Sequence, residues 1–269
     1  MAPVYVALIC LGCVGLVALA AVFAYCSNNL IGVSRYEIKS KKAPGNDVRI
    51  VHISDLHGKR FGRGNRRLIS RVARLTPDFI AVTGDLIHKY RPRDVAVAEE
   101  AVRGLSQIAP VYFVSGNHEM RSTKYRELAS RLKDAGAAVL ENTSVSAFGI
   151  NICGVNCADI KRGRYFSLPK EGEYNLLLAH YPQYIDRYAA AGYDLALSGH
   201  AHGGQWRIPF TPVGIYAPGQ GLFPKYTAKT HSCGDMRGVI SRGLGNSQFP
   251  LRLFNRPEIV VVTVKKELN

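Results

Sequence analysis

The chain has 269 residues, room for one substantial domain and an appendage. Hydrophobic residues make up 47% and charged ones 20%, which excludes a disordered chain and a multi-span membrane protein. A formal net charge of +15 points to an anionic partner: a phosphate-bearing substrate, nucleic acid or an acidic membrane surface.

That excess lies wholly beyond residue 34, because residues 1–34 contain no Asp, Glu, Lys or Arg. Within them, Val4 to Cys26 is an uncharged run of 23 residues. At about 1.5 Å per residue it reaches roughly 35 Å, enough to cross a hydrocarbon core. A cleaved signal peptide is the competing reading, with Ala18-Leu19-Ala20 as its cleavage site. The missing basic n-region and the length of the run favour an uncleaved transmembrane anchor over residues 1–34. Beyond it stand Arg35, Lys39, Lys41, Lys42 and Arg49 against Glu37 and Asp47, whereas the N-terminal side offers no cation. Positive flanks stay in the cytoplasm, so a single-pass protein with a cytoplasmic folded domain is expected.

Residues 35–46, which include Lys-Lys-Ala-Pro-Gly-Asn, read as a basic juxtamembrane linker, and residues 47–269 as the folded domain. Apolar runs there alternate with helical patterns. Val48–Ser54, Phe79–Thr83 and Val111–Ser115 read as strands. Asn65–Leu75, Asp94–Ile108 (with Asp94 as N-cap) and Tyr125–Ala135 read as the helices between and after them. Three β-α units in a row imply a largely parallel sheet covered by helices. Past residue 137, Val145–Cys153, Leu176–Ala179, Leu195–Ser198, Val239–Ser241 and Ile259–Val264 read as strands, with one helix near Pro182–Ala191. A second sheet facing the first is the economical arrangement. Cys153, Cys157 and Cys233 are odd in number and lack framework spacing, so free thiols are expected, which favours a reducing compartment.

Polar residues able to bind metal recur immediately after buried strands. Asp55-Leu56-His57 follows the first, Asp85 the second and Asn117-His118 the third. His180 follows Leu176–Ala179, and His200-Ala201-His202 follows Leu195–Ser198. The carboxyl ends of strands in an open α/β sheet converge on one rim, so these side chains can meet. Two carboxylates, one amide and several imidazoles suit hard-to-borderline divalent ions such as Mn, Fe or Zn, and argue against a thiolate-bound structural zinc. Each fragment alone is weak: Asp-x-His triplets arise by chance, and Gly-Asp or Gly-Asn can be simple turns. Their joint order, with Gly beside three of the clusters, is what carries the signal. His52, His88 and His231 read by default as core or surface histidines.

The series Asp55-x-His57, Gly84-Asp85, Gly116-Asn117-His118-Glu119, His180 and Gly199-His200-Ala201-His202 resembles the calcineurin-like metallophosphoesterases, over roughly residues 48–265. Two finer stretches, His200 to Gln205 (HAHGGQ) and Ser241 to Gly245 (SRGLG) before Arg256-Pro257-Glu258, look like a bacterial membrane-associated branch. That branch is similar to phosphodiesterases and to the UDP-2,3-diacylglucosamine hydrolases of lipid A synthesis. The resemblance implies an α/β fold, a four-layer α/β/β/α sandwich behind the transmembrane helix. It implies a first divalent metal on Asp55, His57, Asp85 and His202, and a second on Asp85, Asn117, His180 and His200. His118 would then be the general acid. One departure is His88, three residues after Asp85, where many family phosphatases carry an Asp that orients the acid; Glu119 is a candidate substitute.

Two segments bear on substrate. From His57 to Pro77 the chain carries seven cations, Lys59 to Arg74, and no acid, and it starts at a ligand candidate, so it is expected to border the site. Residues 195–234 lack Asp and Glu but contain Trp206, Phe210, Tyr216, Phe223 and Tyr226 among prolines. Beside an anchor, these suggest a surface for headgroups and acyl chains; the plainer alternative is a solvated helix and a self-packed loop. The expected protein is a membrane-anchored two-metal phosphoesterase with an anionic, lipid-linked substrate such as UDP-2,3-diacylglucosamine or a phospholipid. A nucleotide phosphodiesterase or nuclease is the alternative, and a non-catalytic scaffold a third. No stable nucleic-acid partner is expected, because a freely diffusing nucleotide needs neither anchor nor aromatic loop.

Overall fold

A computed structural model describes residues 2–163, 168–247 and 249–267. The apolar N-terminus forms helix α1 (Ala2–Asn29), long and apolar enough to cross a membrane. Strand β1 (Gly32–Ser40) follows after only two residues, then β2 (Val48–Ile53), α2 (Arg66–Ala73), β3 (Phe79–Val82) and α3 (Pro92–Ser106). The chain continues through β4 (Val111–Phe113), the single turn α4 (Asn117–Met120), α5 (Tyr125–Asp134) and β5 (Ala137–Val139). Next come β6 (Thr143–Ala147), β7 (Ile150–Gly154), α6 (Cys157–Lys161), β8 (Tyr174–Leu178), α7 (Ile185–Ala190) and β9 (Leu195–Ser198). Short strands β10 (Tyr216–Ala217) and β11 (Gly221–Leu222) precede β12 (Lys229–Cys233), β13 (Met236–Ile240) and β14 (Glu258–Lys266).

Two six-stranded sheets result, ordered β1-β14-β2-β3-β4-β5 and β12-β13-β9-β8-β7-β6. Strands β2 to β5 run parallel, as do β7, β8, β9 and β13. Strand alternation sorts the side chains between layers. Ile50, Val260 and Val262 meet Leu176, Leu178 and Leu197 of the second sheet, while Val51, Ile53, Ile259 and Val261 face the helices on the other side. Val95, Ala98, Val102 and Leu105 of α3 recur at helical spacing and cover that outer face with Leu128 and Leu132 of α5. Ile185 and Tyr188 of α7 and Ile160 of α6 cover the second sheet. The product is the expected α/β/β/α sandwich.

Three local expectations are corrected, and two strands are added. Residues 35–40 are not linker: β1 pairs with β14 from Gly32↔Glu258 to Ser40↔Lys266. Its Arg35, Glu37 and Lys39 are the exposed alternate positions of an edge strand, with Tyr36 and Ile38 turned inward, so a charged flank and a strand share the same residues. Val145–Cys153 is not one strand but the β6–β7 hairpin, turning at Phe148 and Gly149, both left-handed (φ 56° and 70°). Helix α3 starts at Pro92, with Arg91 rather than Asp94 at the N-cap. Pro needs no partner for its missing N–H at the first helical position, and Asp94 instead accepts the Lys89 N–H at 3.2 Å. Finally, β5 and β12, too short or too polar to stand out, close the two sheets.

The loops after β3 and β4 touch through glycines. Gly84 sits at φ 86°, and a Cβ there would lie 2.2 Å from the Gly116 nitrogen. Gly84→Ala combines a left-handed alanine with a backbone clash and should cost roughly 2–4 kcal/mol. Its thermal midpoint, read by circular dichroism, should fall by about 5–15 °C. Gly172→Ala, at φ 76° with nothing within 4 Å, should fall much less; equal losses would show that close approach at Gly84 is unimportant.

Candidate metal centre and active-site cleft

The carboxyl ends of β2, β3, β4, β8 and β9 deliver every predicted ligand to one buried rim. Asp55, His57, Asp85, His200 and His202 all have left-handed φ, between 47° and 66°. Each such residue costs on the order of 1–3 kcal/mol and persists only where its surroundings over-determine it.

The surroundings do so through the backbone. The loop after β2 lies along the loop after β3, with Asp55 N–H donating to Gly84 O, His57 N–H to Asp85 O and Gly58 N–H to Leu86 O, at 2.8–3.0 Å. Leu244 and Gly245 hold it from behind by donating to the carbonyls of Ser54 and Asp55. This is what the Ser-Arg-Gly-Leu-Gly stretch does: Gly243, at φ 70°, packs where any Cβ would press on the Asp55 side chain. Asn255 ties down the next turn by donating to the carbonyls of His202 and Gln205.

Two donor sets meet at Asp85. In one, His57 Nε2 and His202 Nε2 are 3.1 Å apart, and Asp55 Oδ1 is 3.8 Å from the first and 3.4 Å from the second. In the other, His180 Nε2 lies 3.1 Å from His200 Nδ1 and 3.2 Å from Asn117 Oδ1. Asp85 Oδ2 faces both, 3.6 Å from His57 Nε2 and 3.2 Å from His180 Nε2. Its other oxygen accepts the His118 backbone N–H at 2.9 Å.

The chemistry of these donors fits divalent cations. His180 Nδ1 donates to Thr83 O at 2.7 Å, which turns the Nε2 lone pair toward Asp85, Asn117 and His200. Acceptor atoms that face one another at these distances repel unless positive charge sits among them. Burial opposes charge on His180, but Asp85 and Asp55 outweigh it and raise its pKa to about 9. Burial likewise resists ionisation of Asp85, yet His180, His57 and His118 hold its carboxyl well below the ordinary range. Both carboxylates stay charged in a pocket that demands cations.

Glu119 does not orient His118. Its buried carboxylate accepts the backbone N–H groups of Asp85 (2.7 Å), Gly116 (2.8 Å) and Ile87 (3.1 Å), clamping two ligand loops together. Burial and the Asp85 charge push its pKa up to about 7 against those three donors. The His118 ring instead donates from Nδ1 to the His88 carbonyl at 2.6 Å, leaving Nε2 facing the cleft. Burial lowers the His118 pKa more than the nearby Asp85 charge raises it.

A cleft of ≈ 500 Å³ opens over the centre, bordered by His88, Lys89, Tyr90, Arg121 and Ser122 as well as Pro218 and Ser247. His88, read from sequence as a bystander, is a wall residue whose ring lies 5.0 Å from that of His118. Arg121 was also missed, although its place one helical turn after Asn117 could have revealed it. The cationic segment after His57 does not border the cleft among the described residues. Lys59 and Arg67 instead donate to the last carbonyls of α1, those of Asn28 and Asn29, where a helix dipole favours cations. All six cysteines are free thiols, and burial raises the Cys153 pKa to about 12.

Comparisons with known proteins agree with this geometry. The family model described as calcineurin-like phosphoesterase matches residues 48–204. The uncharacterised metallophosphoesterase YkoQ of Bacillus subtilis is 30% identical over 79% of this chain and 82% of its own. Phosphodiesterase YaeI of Escherichia coli is 29% identical over 88% and 90%, respectively. Protein TT1561 of Thermus thermophilus, 16% identical with a TM-score of 0.50, covers 74% of this chain and 91% of its own and shares the fold. By its sequence, and in keeping with the donor groups gathered at its strand ends, the chain belongs to the calcineurin-like phosphoesterase family and is a metal-dependent phosphoester hydrolase.

Proposed function

We propose that the protein is a membrane-anchored phosphoesterase that uses two divalent cations to hydrolyse a phosphoester or pyrophosphate bond in a lipid-linked substrate. The observation that carries the catalytic part is the pair of donor sets sharing Asp85 Oδ2. Asp55, His57, His202 and Asp85 would hold one cation; Asp85, Asn117, His180 and His200 would hold the other. Bound there, two cations would align the phosphoryl oxygens, neutralise their charge and activate a water for in-line attack. Arg121, Lys89 and His88 line the cleft and receive the negative charge of the substrate. His118, its Nδ1–H fixed on the His88 carbonyl, presents Nε2 to protonate the leaving oxygen.

What supports membrane placement is the docking of α1. Its polar end meets the rim of the site: Asn28 Oδ1 accepts from Asn246 Nδ2 (3.0 Å) and from the Arg252 backbone (3.1 Å), next to cleft residue Ser247. A substrate anchored in the same leaflet reaches the cleft without leaving the bilayer surface. The cationic flank supports a cytoplasmic domain, where nucleotide-linked lipid precursors are accessible.

Three outcomes are expected. Asp85→Ala abolishes metal-dependent hydrolysis of an aryl phosphodiester and lowers bound metal measured by atomic emission, with the circular dichroism spectrum kept; near-normal turnover would remove the two-metal reading. His118→Ala retains metal but loses about 10²–10⁴-fold in rate on esters with poor leaving groups, and much less on aryl esters. Uniform loss across leaving groups would rule out the acid role. With a reporter fused at the C-terminus, one active only in the cytoplasm gives signal and one active only outside it stays silent; the reverse pattern overturns the orientation.

A further inference from the structure

Three phenylalanines at loop tips, Phe210, Phe223 and Phe254, are solvent-exposed and have left-handed φ of 63°, 49° and 52°. Bulky residues rarely adopt that conformation, and glycine would relieve the strain at each. Phe148, also exposed and left-handed, differs in that its ring stacks on core Phe79, 5.3 Å away; the other three tips call for a partner outside the folded core. Leu222 and Phe249 are exposed beside them.

Helix α1 shows what that partner is. The Phe23 and Phe254 rings are in contact, with centroids 5.1 Å apart. Phe23 lies within the uncharged run, five residues before Asn28, so roughly 7–8 Å further along the axis from the polar end. Once α1 spans a bilayer, Phe254 sits at the depth where interfacial proteins bury apolar side chains, about 5–10 Å below the headgroups.

Behind this apolar tip lies a second cleft of ≈ 400 Å³, lined by Gly204, Gln205, Trp206, Ile215, Tyr216, Leu222 and Phe249. Its volume falls in the usual range for ligand sites of about 300–1,000 Å³. The Trp206 and Phe249 rings form one wall, 5.1 Å apart, and the Trp206 indole N–H is already satisfied by Leu251 O at 2.9 Å. The lining therefore presents carbon rather than hydrogen-bonding groups. The same two loops separate this groove from the cleft over the donor sets: Pro218 and Ser247 line that cleft, while Tyr216, Leu222 and Phe249 line the groove.

We infer that this groove is an acyl-chain site, in which the lipid tail of a phosphate-bearing substrate lies between Trp206, Leu222 and Phe249 while its phosphate occupies the adjacent metal cleft. The inference rests on the hydrolytic reading above and adds the tail's location. Phe254 directly follows Leu253, which bridges to Trp206 of the groove, so the groove opens near the level of the acyl chains and the tail moves from bilayer to groove without crossing water. Headgroup chemistry is then read by Lys89 and Arg121 on the opposite side of the loops.

Trp206 is the only tryptophan in the chain, so its fluorescence reports the groove alone. The test uses full-length protein in phosphatidylcholine nanodiscs, titrated with a brominated alkyl phosphate. Saturable quenching of Trp206 is expected, and Leu222→Glu, at an exposed position, should weaken it about tenfold or more. In parallel, kcat/KM for alkyl aryl phosphodiesters should rise about three- to fourfold per added methylene until the groove is full. Leu222→Glu should flatten that rise. No quenching in the parent protein, or quenching and chain-length preference both untouched in Leu222→Glu, overturns the acyl site. Because quenching needs no turnover, a protein that is quenched but fails to hydrolyse the shortest diester would sink the hydrolytic reading instead.

Discussion

The carboxylate of Asp85 is the point on which the two halves of the molecule depend. One oxygen is pinned by the His118 backbone, and the other stands between imidazoles from both sheets. Holding one oxygen between two donor sets requires the loops after β2, β3, β4, β8 and β9 to arrive together within a few tenths of an ångström. Five residues accept left-handed backbone to make that happen, a combined strain of several kcal/mol. Glycines at 84 and 116 let two of the loops touch, and Glu119 locks them by accepting three N–H groups at once. The four-layer fold is in this sense a frame that absorbs strain at its rim by burying apolar strands at its centre.

A second coupling joins the centre to α1. Only Leu30 and Ile31 separate the helix from β1, and β1 is zipped along the whole of β14. Lys59 stands two residues beyond His57 and caps the helix, with burial and the neighbouring Arg252 holding its pKa down to about 8. Arg252 itself is buried and donates to the carbonyls of Gly245, Asn255 and Arg242, so the segment behind Asp55 and the segment touching α1 are one structure. The position of the helix fixes the position of the cleft. In the proposed reaction the metal centre then stands at constant height above a bilayer, which matters for a lipid and would be idle for a soluble substrate.

Much of this was legible in the sequence because chemistry and fold share a rule. Each candidate ligand follows a run of buried, mostly apolar residues, and parallel strands bring their carboxyl ends together; Asp55, Asp85, Asn117, His180 and His200 could be grouped on that ground alone. Legibility failed where one pattern has two meanings. Alternating charges at 35, 37 and 39 describe both a positive flank and an edge strand. The cations from Lys59 onward looked like a substrate wall, yet Lys59 and Arg67 serve helix carbonyls. His88 offered no motif because it is its main-chain carbonyl that hydrogen-bonds the His118 ring. The apolar groove was hidden for a different reason: its walls come from residues 204–222 and from Phe249, and only folding juxtaposes them.

The His88 carbonyl has a further consequence for the reaction proposed above. An aspartate hydrogen-bonded to the acid's ring would stabilise imidazolium and make it hold its proton more tightly. A main-chain carbonyl orients the ring just as firmly but carries no net charge. With burial lowering the His118 pKa further, the imidazolium is a stronger acid, but less of it is present near neutrality. Such an acid is well matched to a leaving group that needs only partial protonation, as a phosphate released from a pyrophosphate does, and poorly matched to an alkoxide. In the reaction proposed above, His88 in place of an acidic partner favours phosphoanhydrides over simple alkyl esters, and the same cleft is lined by the cations Lys89 and Arg121.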